Sequence, residues 1–356
     1  MTAPAANERS SEMDEELAQK VKGIALDAGV AKVGVAGLED LAGPPEADPE
    51  PILPGATAVV SFLVVEPEEA IIDYLSKKDP QPYRDHFYEN VQLLGRAGMA
   101  ISDVLRSRGY RAVPLSPNGV YSEGSNVVSG LKPPFSHRYA AVAAGLGGIG
   151  LSGNVMTPEY GARVALSSVV CDAPLVTDRP LYENPCRGCC RCLRVCPGGF
   201  MSLTERVTFT MGGREITHAQ KGLHARCGIS CGGFAGLSRD GKWSTWAPAA
   251  HTIPEDDVEM VKLLAELAAK YFQKRTERPE LANFYRLSQP IPGYPDDGQG
   301  ILARSKFDTY TTCGNCAVVC FEDKEKTARA RRALMRSGLV FEDEDGSVRV
   351  VKQERR

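Results

Sequence analysis

The run Cys186-Arg-Gly-Cys189-Cys190-Arg-Cys192-Leu-Arg-Val-Cys196-Pro197 constrains this chain more than any other stretch. With Cys190 set aside it reads C-x2-C-x2-C-x3-C-P, the spacing that wraps a cubane 4Fe-4S cluster. Three thiolates line a turn around one cluster, and the fourth, past a short helical turn, points to a second. A partner motif is therefore required. Cys313-Gly-Asn-Cys316-Ala-Val-Val-Cys320 supplies it, a C-x2-C-x3-C run one ligand short, which Cys227 or Cys231 can complete. The simplest assignment crosses over. Cys186, Cys189, Cys192 and Cys320 take one cluster, and Cys196, Cys313, Cys316 and Cys227 the other.

Two other uses of cysteine fit less well. Disulfide frameworks belong to small secreted chains, and no secretory segment opens this chain of 356 residues. A structural zinc needs four tetrahedral ligands, which a proline-terminated four-cysteine run matches poorly. Eleven cysteines without a secretory segment point to reduced thiols and a cytoplasmic protein. No apolar run approaches the roughly 20 residues of a membrane span. A net charge of -3 exerts no general pull on nucleic acid or an acidic membrane.

Along the chain, 1–14 reads as a disordered N-terminus. Ser11 opens a helix with Leu17, Val21, Ile24 and Ala28 on one face, and Gly29 stops it. Ala31 to Ala36 is a short strand, Leu41 to Gly55 a proline-rich loop, and Thr57 to Val65 a strand buried on both faces. A long helix over about Tyr83 to Arg108 carries Val91, Leu94, Ile101 and Leu105 at helical spacing. A strand at Gly109 to Pro114, a loop from Ser116 to Pro134, a helix at His137 to Ala144 and a strand at Ala162 to Cys171 follow. Helices alternating with buried strands argue for an α/β (α+β) fold with a covered sheet.

Gly145-Leu-Gly147-Gly-Ile-Gly150 matches a dinucleotide-binding turn by spacing, but no helix follows, because Ser152-Gly-Asn and Thr157-Pro158 break it. A close backbone approach, to a cofactor or to another chain segment, is the better reading. Gly145, Gly147 and Gly150, with Tyr160 nearby, are thus the candidate cofactor-binding positions, Tyr160 having packing as its alternative.

Residues 179–325 carry the cysteine motifs and an insertion over 232–312. Arg206 to Thr217 reads as a hairpin turning at Gly212-Gly213. In the insertion, Trp243 and Trp246 precede a helix that starts at Pro254, has Glu255, Asp256 and Asp257 in its first turn, and ends in Lys270, Lys274 and Arg275. The insertion could cap an active site or shield the clusters. The tail, 326–356, pairs a basic helix (Lys324, Lys326, Arg329, Arg331, Arg332, Arg336) with an acidic turn at Glu342 to Asp345. Its plain reading is a solvated helix and hairpin, its sharper one a docking surface for an acidic electron donor or RNA.

Leu105-Arg-Ser-Arg-Gly109-Tyr110-Arg-Ala-Val-Pro114, Ala143-Ala-Gly-Leu-Gly147, Thr157-Pro-Glu-Tyr-Gly161-Ala-Arg163-Val164 and Cys186 to Pro197, in that order, resemble epoxyqueuosine reductases and reductive dehalogenases. The resemblance covers roughly 15–230 and resumes at 313–320. It implies a nitroreductase-like domain at 15–178 that binds a corrinoid, followed by a two-cluster ferredoxin-like domain. It also implies cobalamin beside two 4Fe-4S clusters and supports Cys227, in Ala225-Arg226-Cys227, as the eighth ligand. Cys171 then belongs to the core, while Cys190 and Cys231 stand near the clusters as bystanders or substitute ligands. Three departures stand out. No aspartate occupies the loop before the glycine turn, Leu151 stands where a basic residue is common, and Phe321 replaces a proline after the last cysteine.

The function expected is a cobalamin-dependent iron–sulfur reductase of a small organic substrate, supplied by reduced ferredoxin or flavodoxin. A proton donor must lie within hydrogen-bond reach of the leaving group, and Glu123, Tyr121 and His137 are the candidates in or beside the long loop. A corrinoid-free electron-transfer protein is the main alternative. Near-neutral charge and the missing aspartate speak against tRNA as a partner.

Overall fold

A computed structural model of the chain describes residues 14–117, 130–181, 183–277, 286–289, 306–308, 313–343 and 347–352. Helix α1 (Glu15–Asp27) opens at Asp14, whose carboxylate accepts the Leu17 N–H at 2.8 Å. The cap is therefore Asp14 rather than Ser11, which lies outside the described residues. Leu17, Ala18, Val21 and Ala25 form the buried stripe of α1. After β1 (Lys32–Gly37) and a single turn, α2 (Leu38–Leu41), comes β2 (Ala58–Val65), buried along nearly its whole length. Helix α3 (Glu68–Leu75) was not anticipated, although Pro67 and the acidic pair Glu68 and Glu69 make a good helix start. Then follow α4 (Gln81–Ser107), β3 (Ala112–Pro114), α5 (His137–Ala143), the short pair β4 (Gly148–Ile149) and β5 (Val155–Met156), and β6 (Val164–Cys171).

The central sheet runs β1-β2-β6-β3, and every pairing in it is antiparallel. One cross-strand row, Val35, Val60 and Val169, packs with α1 and α4. The next row, Ala36, Val59, Val170 and Val113, faces the alanines of α5. Period-two alternation thus feeds two cores at once, which is why β2 has no polar face. The expected covered sheet is present, and the fold is mixed α/β.

In the second half, α6 (Arg191–Arg194) lies within the cysteine run, and a hairpin follows, β7 (Met201–Met211) and β8 (Arg214–Lys221). Gly212 and Gly213, at φ +56° and +72°, supply the two left-handed residues that a tight hairpin turn demands. Next come α7 (His224–Cys231) and α8 (Asp257–Glu277), the latter capped by Asp256, which takes the N–H groups of Val258 and Glu259. The cap sits two residues beyond the expected start at Pro254. The remaining elements are β9 (Arg286–Gln289) with β10 (Lys306–Asp308), α9 (Asn315–Val318), α10 (Lys324–Met335), and the hairpin β11 (Leu339–Glu342) with β12 (Val348–Val351).

A third core joins these parts. Ile71, Tyr74 and Leu75 of α3 pack with Cys192, Leu193, Val195, Trp243, Val318, Phe321 and Leu334. The insertion is fastened to the tail, since Ser244 N–H donates to the Gly338 carbonyl and Ala249 N–H to that of Val340. Among the described residues no helix is long and apolar enough to cross a membrane.

Candidate metal centres

The cysteines gather into two groups, each drawn from distant parts of the chain. Gly188 and Cys190, both left-handed at φ +66° and +55°, turn the backbone between Cys186 and Cys192. Burial pushes the Cys192 thiol up to about 12, helped by the charges of Cys320, Cys316, Cys186 and Cys189. Cys320 rises to about 12 in the same way, by burial and then by Cys186 and Cys189. Cys186, Cys189, Cys192 and Cys320 therefore share one neighbourhood. A set of thiols that repel one another's ionised forms is chemically suited to a cationic metal core, which deprotonates them outright.

The second neighbourhood holds Cys196, Cys227, Cys231, Cys313 and Cys316. Cys227 and Cys231 stand one turn apart on α7, their sulfurs at 3.5 Å. Cys231 accepts from Cys227, Cys313 and the Gly314 amide, which holds its thiol well below the usual range. Cys227 and Cys313 are raised by that same pairing, and burial lifts Cys316 to about 11. Among the described residues no three His, Cys, Asp or Glu side chains converge as a single ion requires.

Amide donors already face the sulfurs. Leu151 N–H points to Cys186 Sγ at 3.4 Å, Phe200 N–H to Cys196 Sγ at 3.4 Å, and the Asn154 side-chain amide to Cys316 Sγ at 3.5 Å. Leu151, at the expected basic position, thus serves through its backbone. The Thr157–Gly161 turn forms the wall behind Cys320, with Ala162 N–H on the Cys320 carbonyl at 2.8 Å and Gly161 too close to that oxygen to carry a side chain. Tyr74, missed from sequence, donates its hydroxyl to the Cys313 carbonyl at 2.9 Å, and Trp246 Nε1 donates to the Tyr74 carbonyl at 2.9 Å. The two tryptophans pack into the core that also holds Cys192, Trp243 buried and Trp246 partly so. Lys77, also unforeseen, is buried against Trp246 with its ammonium on Ser337 Oγ at 3.1 Å, and burial lowers it to about 7.

Other sequence candidates fare differently. His137 is half-buried, with Nε2 on the Ser116 carbonyl at 2.9 Å and Nδ1 on Ser168 Oγ at 3.0 Å. The carbonyl can only accept, so the ring proton belongs on Nε2, and burial pulls the imidazole down to about 4. Both nitrogens are spent tying the loop to β6, and His137 is not kept as a proton donor. Tyr121 and Glu123 lie outside the described residues. A side chain at Gly145 would strike the Arg179 carbonyl and one at Gly147 the Met156 carbonyl, while Gly150 makes ordinary contact with Cys186 Sγ. Tyr160 packs against Arg163, whose guanidinium also covers Phe321. These four positions serve chain-on-chain packing and do not fit the expected corrinoid-lining role.

No family model matches the chain. Over 127 residues it is 35% identical to the tetrachloroethene reductive dehalogenase of Sulfurospirillum multivorans, covering 35% of this chain and 22% of that protein. Over 64 residues it is 36% identical to an epoxyqueuosine reductase of Bacillus cereus, covering 18% of this chain and 17% of that one. The chain thus matches about a fifth of the length of these curated relatives. A solved reductive dehalogenase, described as B12-dependent, has 21% identity and a TM-score of 0.47, over 77% of this chain and 37% of its own. The chain is related to epoxyqueuosine reductases and reductive dehalogenases, as its motif order implied. One epoxyqueuosine reductase, solved with a tRNA stem loop, has 22% identity and a TM-score of 0.38 over 63% of this chain and 59% of its own.

Proposed function

We propose that this chain is an iron–sulfur oxidoreductase with two 4Fe-4S clusters, one on Cys186, Cys189, Cys192 and Cys320, the other on Cys196, Cys227, Cys313 and Cys316. The observation that carries this reading is the crossing of the two motifs: Cys320 joins the neighbourhood of Cys186 to Cys192, while Cys196 joins that of Cys313 and Cys316. Each cluster, when bound, supplies one-electron transfer at a potential set by burial and hydrogen bonds to sulfur. Leu151, Phe200 and Asn154 supply such bonds, and Trp243, Phe321 and Tyr74 keep water from the ligands' backs. Cys189 is exposed, with Arg187, Arg191 and Arg194 in the same run, which suits an acidic donor such as ferredoxin or flavodoxin. In this reading 15–178 is the nitroreductase-like part and 179–325 the ferredoxin-like part.

The positions expected to line a corrinoid are occupied with packing, so none is assigned as its ligand and no step is routed through one. That observation favours a second reading, a two-cluster electron-transfer protein without a corrinoid. Anaerobic purification with cobalamin supplied, followed by iron, sulfide and cobalt analysis and electron paramagnetic resonance, separates the two. About eight irons with one cobalt supports a cobalamin reductase, and about eight without cobalt the electron-transfer protein. About four irons or fewer refutes the crossed assignment.

A further inference from the structure

Several bases in this molecule meet carboxylates directly. Arg226 meets Asp257 at 2.6 Å, Lys22 meets Asp178 at 2.7 Å, and Lys326 bridges Glu68 and Glu322. One cluster of bases departs from this. Arg138 in the first turn of α5, His218 and Lys221 on β8, and His224 at the head of α7 come together beside Gly153 and the second cysteine group. Arg138 Nη1 donates to the Gly153 carbonyl at 2.9 Å, and the Lys221 ammonium lies over the same glycine, 2.6 Å from where a Cβ would stand. The His218 ring donates from Nδ1 to the Ala219 carbonyl at 2.8 Å, which leaves Nε2 for another group. Phe200 backs the His224 ring at 5.1 Å, and Phe209 backs that of His218 at 5.9 Å.

Among the described residues none of these four bases has a carboxylate within ion-pair distance, although Arg138 and Lys221 lie close enough to act on each other and on both histidines. Lys221 is lowered to about 8 by burial and then by Arg138, and both histidines are lowered by burial, Lys221 and Arg138. Gathering like charges costs free energy unless something of opposite sign joins them. The sulfurs compensate only part of the cluster, since Cys316 and Cys227 act on Lys221, but neither acts on either histidine.

We propose that Arg138, His218, Lys221 and His224 form a binding site for an anionic group, a carboxylate or a phosphate, on the histidine side of Lys221 and next to the second cysteine group. Arg138 and Lys221 supply the charge and the N–H donors; His224, backed by Phe200, can turn a ring N–H toward the anion, while His218, whose neutral-state proton is held on the Ala219 carbonyl, donates from Nε2 only when an anion draws a second proton onto the ring. The proposal rests on the iron–sulfur reading only for what lies behind the site; the anion itself needs no cluster to bind.

The test is calorimetric titration of the cluster-loaded protein, kept anaerobic, with inorganic phosphate and with benzoate. Saturable binding of at least one is expected, weakened about tenfold or more in Lys221→Met and in Arg138→Met, as loss of a charge-assisted hydrogen bond implies. Lys242→Met, an exposed lysine in the insertion, should bind as the parent does. Cobalamin and cobinamide, which lacks the phosphodiester, then tell the source of the anion. Lys221→Met weakening cobalamin uptake alone makes it the corrinoid's phosphate; equal uptake of both, with the phosphate or benzoate effect intact, makes it the substrate's. Absence of saturable anion binding overturns the proposal. So does unchanged affinity in both variants, in which case the bases merely balance the sulfurs and Lys221→Met shifts a cluster potential alone. Iron and sulfide measured on the same samples keep a failed anion site apart from a failed cluster assignment.

Discussion

The two cysteine groups look alike in sequence and differ in their surroundings. Each has an exposed member, Cys189 in the first and Cys231 in the second. The first gathers four sulfurs and adjoins both carboxylate-paired bases, Lys326 and Arg329 of α10 on Glu68, Glu69 and Glu322, and Arg187 and Arg191, which donate to the Glu322 and Lys324 carbonyls. The second gathers five sulfurs over the Tyr74–Trp246 support and faces bases that meet no carboxylate among the described residues. The bases beside the second group are the ones proposed above to hold an anion, and those beside the first the ones proposed to meet an acidic electron donor. Equivalent ligand spacing therefore does not imply equivalent roles.

Removing ligands is the most forceful way to break this comparison. Cys192→Ser and Cys316→Ser should each lose about half the iron and sulfide, from different clusters. Loss of all iron from either would mean that the groups form a single unit. On α7, Cys227→Ser should fall to about four irons while Cys231→Ser keeps about eight. The reverse pattern would move the eighth ligand one helical turn along, which the 3.5 Å sulfur separation makes a clean alternative.

Glu66 is the exception on the first group's side. It is buried, with Asn90 and Arg163 near enough to favour its charged form, yet desolvation raises its carboxyl from 4.5 to about 7. The folded protein thus holds this proton more tightly than the unfolded chain, and stability falls as pH rises from about 4.5 to 7. A shift of 7 − 4.5 at about 1.36 kcal/mol per unit makes the penalty about 3 kcal/mol by pH 8. Glu66→Gln should therefore raise stability at pH 8 by on the order of 2–3 kcal/mol and flatten the pH dependence, as read by denaturant unfolding at pH 5 and 8. An unchanged slope between those pH values would remove Glu66 as the mismatched charge.

Local pattern announced some of this architecture and long-range register hid the rest. The stripe of α4, the two-faced burial of β2 and the Gly212-Gly213 turn follow from near-neighbour chemistry, and all three are present. Cysteine spacing likewise suggested which sulfurs cross over. Helix α3 was overlooked because its apolar face, Ile71, Tyr74 and Leu75, is completed only by residues beyond 190. The closeness of Cys227 and Cys231 depends on α7 being helical, which places residues four apart on one face. Lys221 gave no signal at all. It reads as the end of an exposed strand, and only the hairpin's docking carries it to Gly153, beside the Leu151 position where a base was expected. The loop from 118 to 129, where Tyr121 and Glu123 were offered as proton donors, lies outside the described residues.

A smaller effect tests the support under the second group. Tyr74→Phe removes the hydroxyl donated to the Cys313 carbonyl and leaves that buried oxygen short of a partner, at a cost of about 1–2 kcal/mol. Because the loss falls under Cys313, chelator-driven iron release should quicken for the second cluster and stay unchanged for the first. Equal acceleration of both would show that Tyr74 steadies the common core instead.

The finest distinction lies in the donors to sulfur. The first group receives its N–H from the backbone of Leu151, which substitution leaves in place; the Cys316 donor is the side chain of Asn154. Asn154→Leu keeps a similar volume and deletes one N–H···S bond. A net worth of about 0.5–1 kcal/mol, concentrated on the reduced and more negative cluster, corresponds to a one-electron potential lower by on the order of 20–40 mV. Redox titration followed by electron paramagnetic resonance should then show one potential moving and the other fixed. Leu151→Ala, which retains its amide, should move neither. If Asn154→Leu leaves both potentials in place, the Asn154 contact is a packing contact, and the two groups are tuned alike despite their different neighbours.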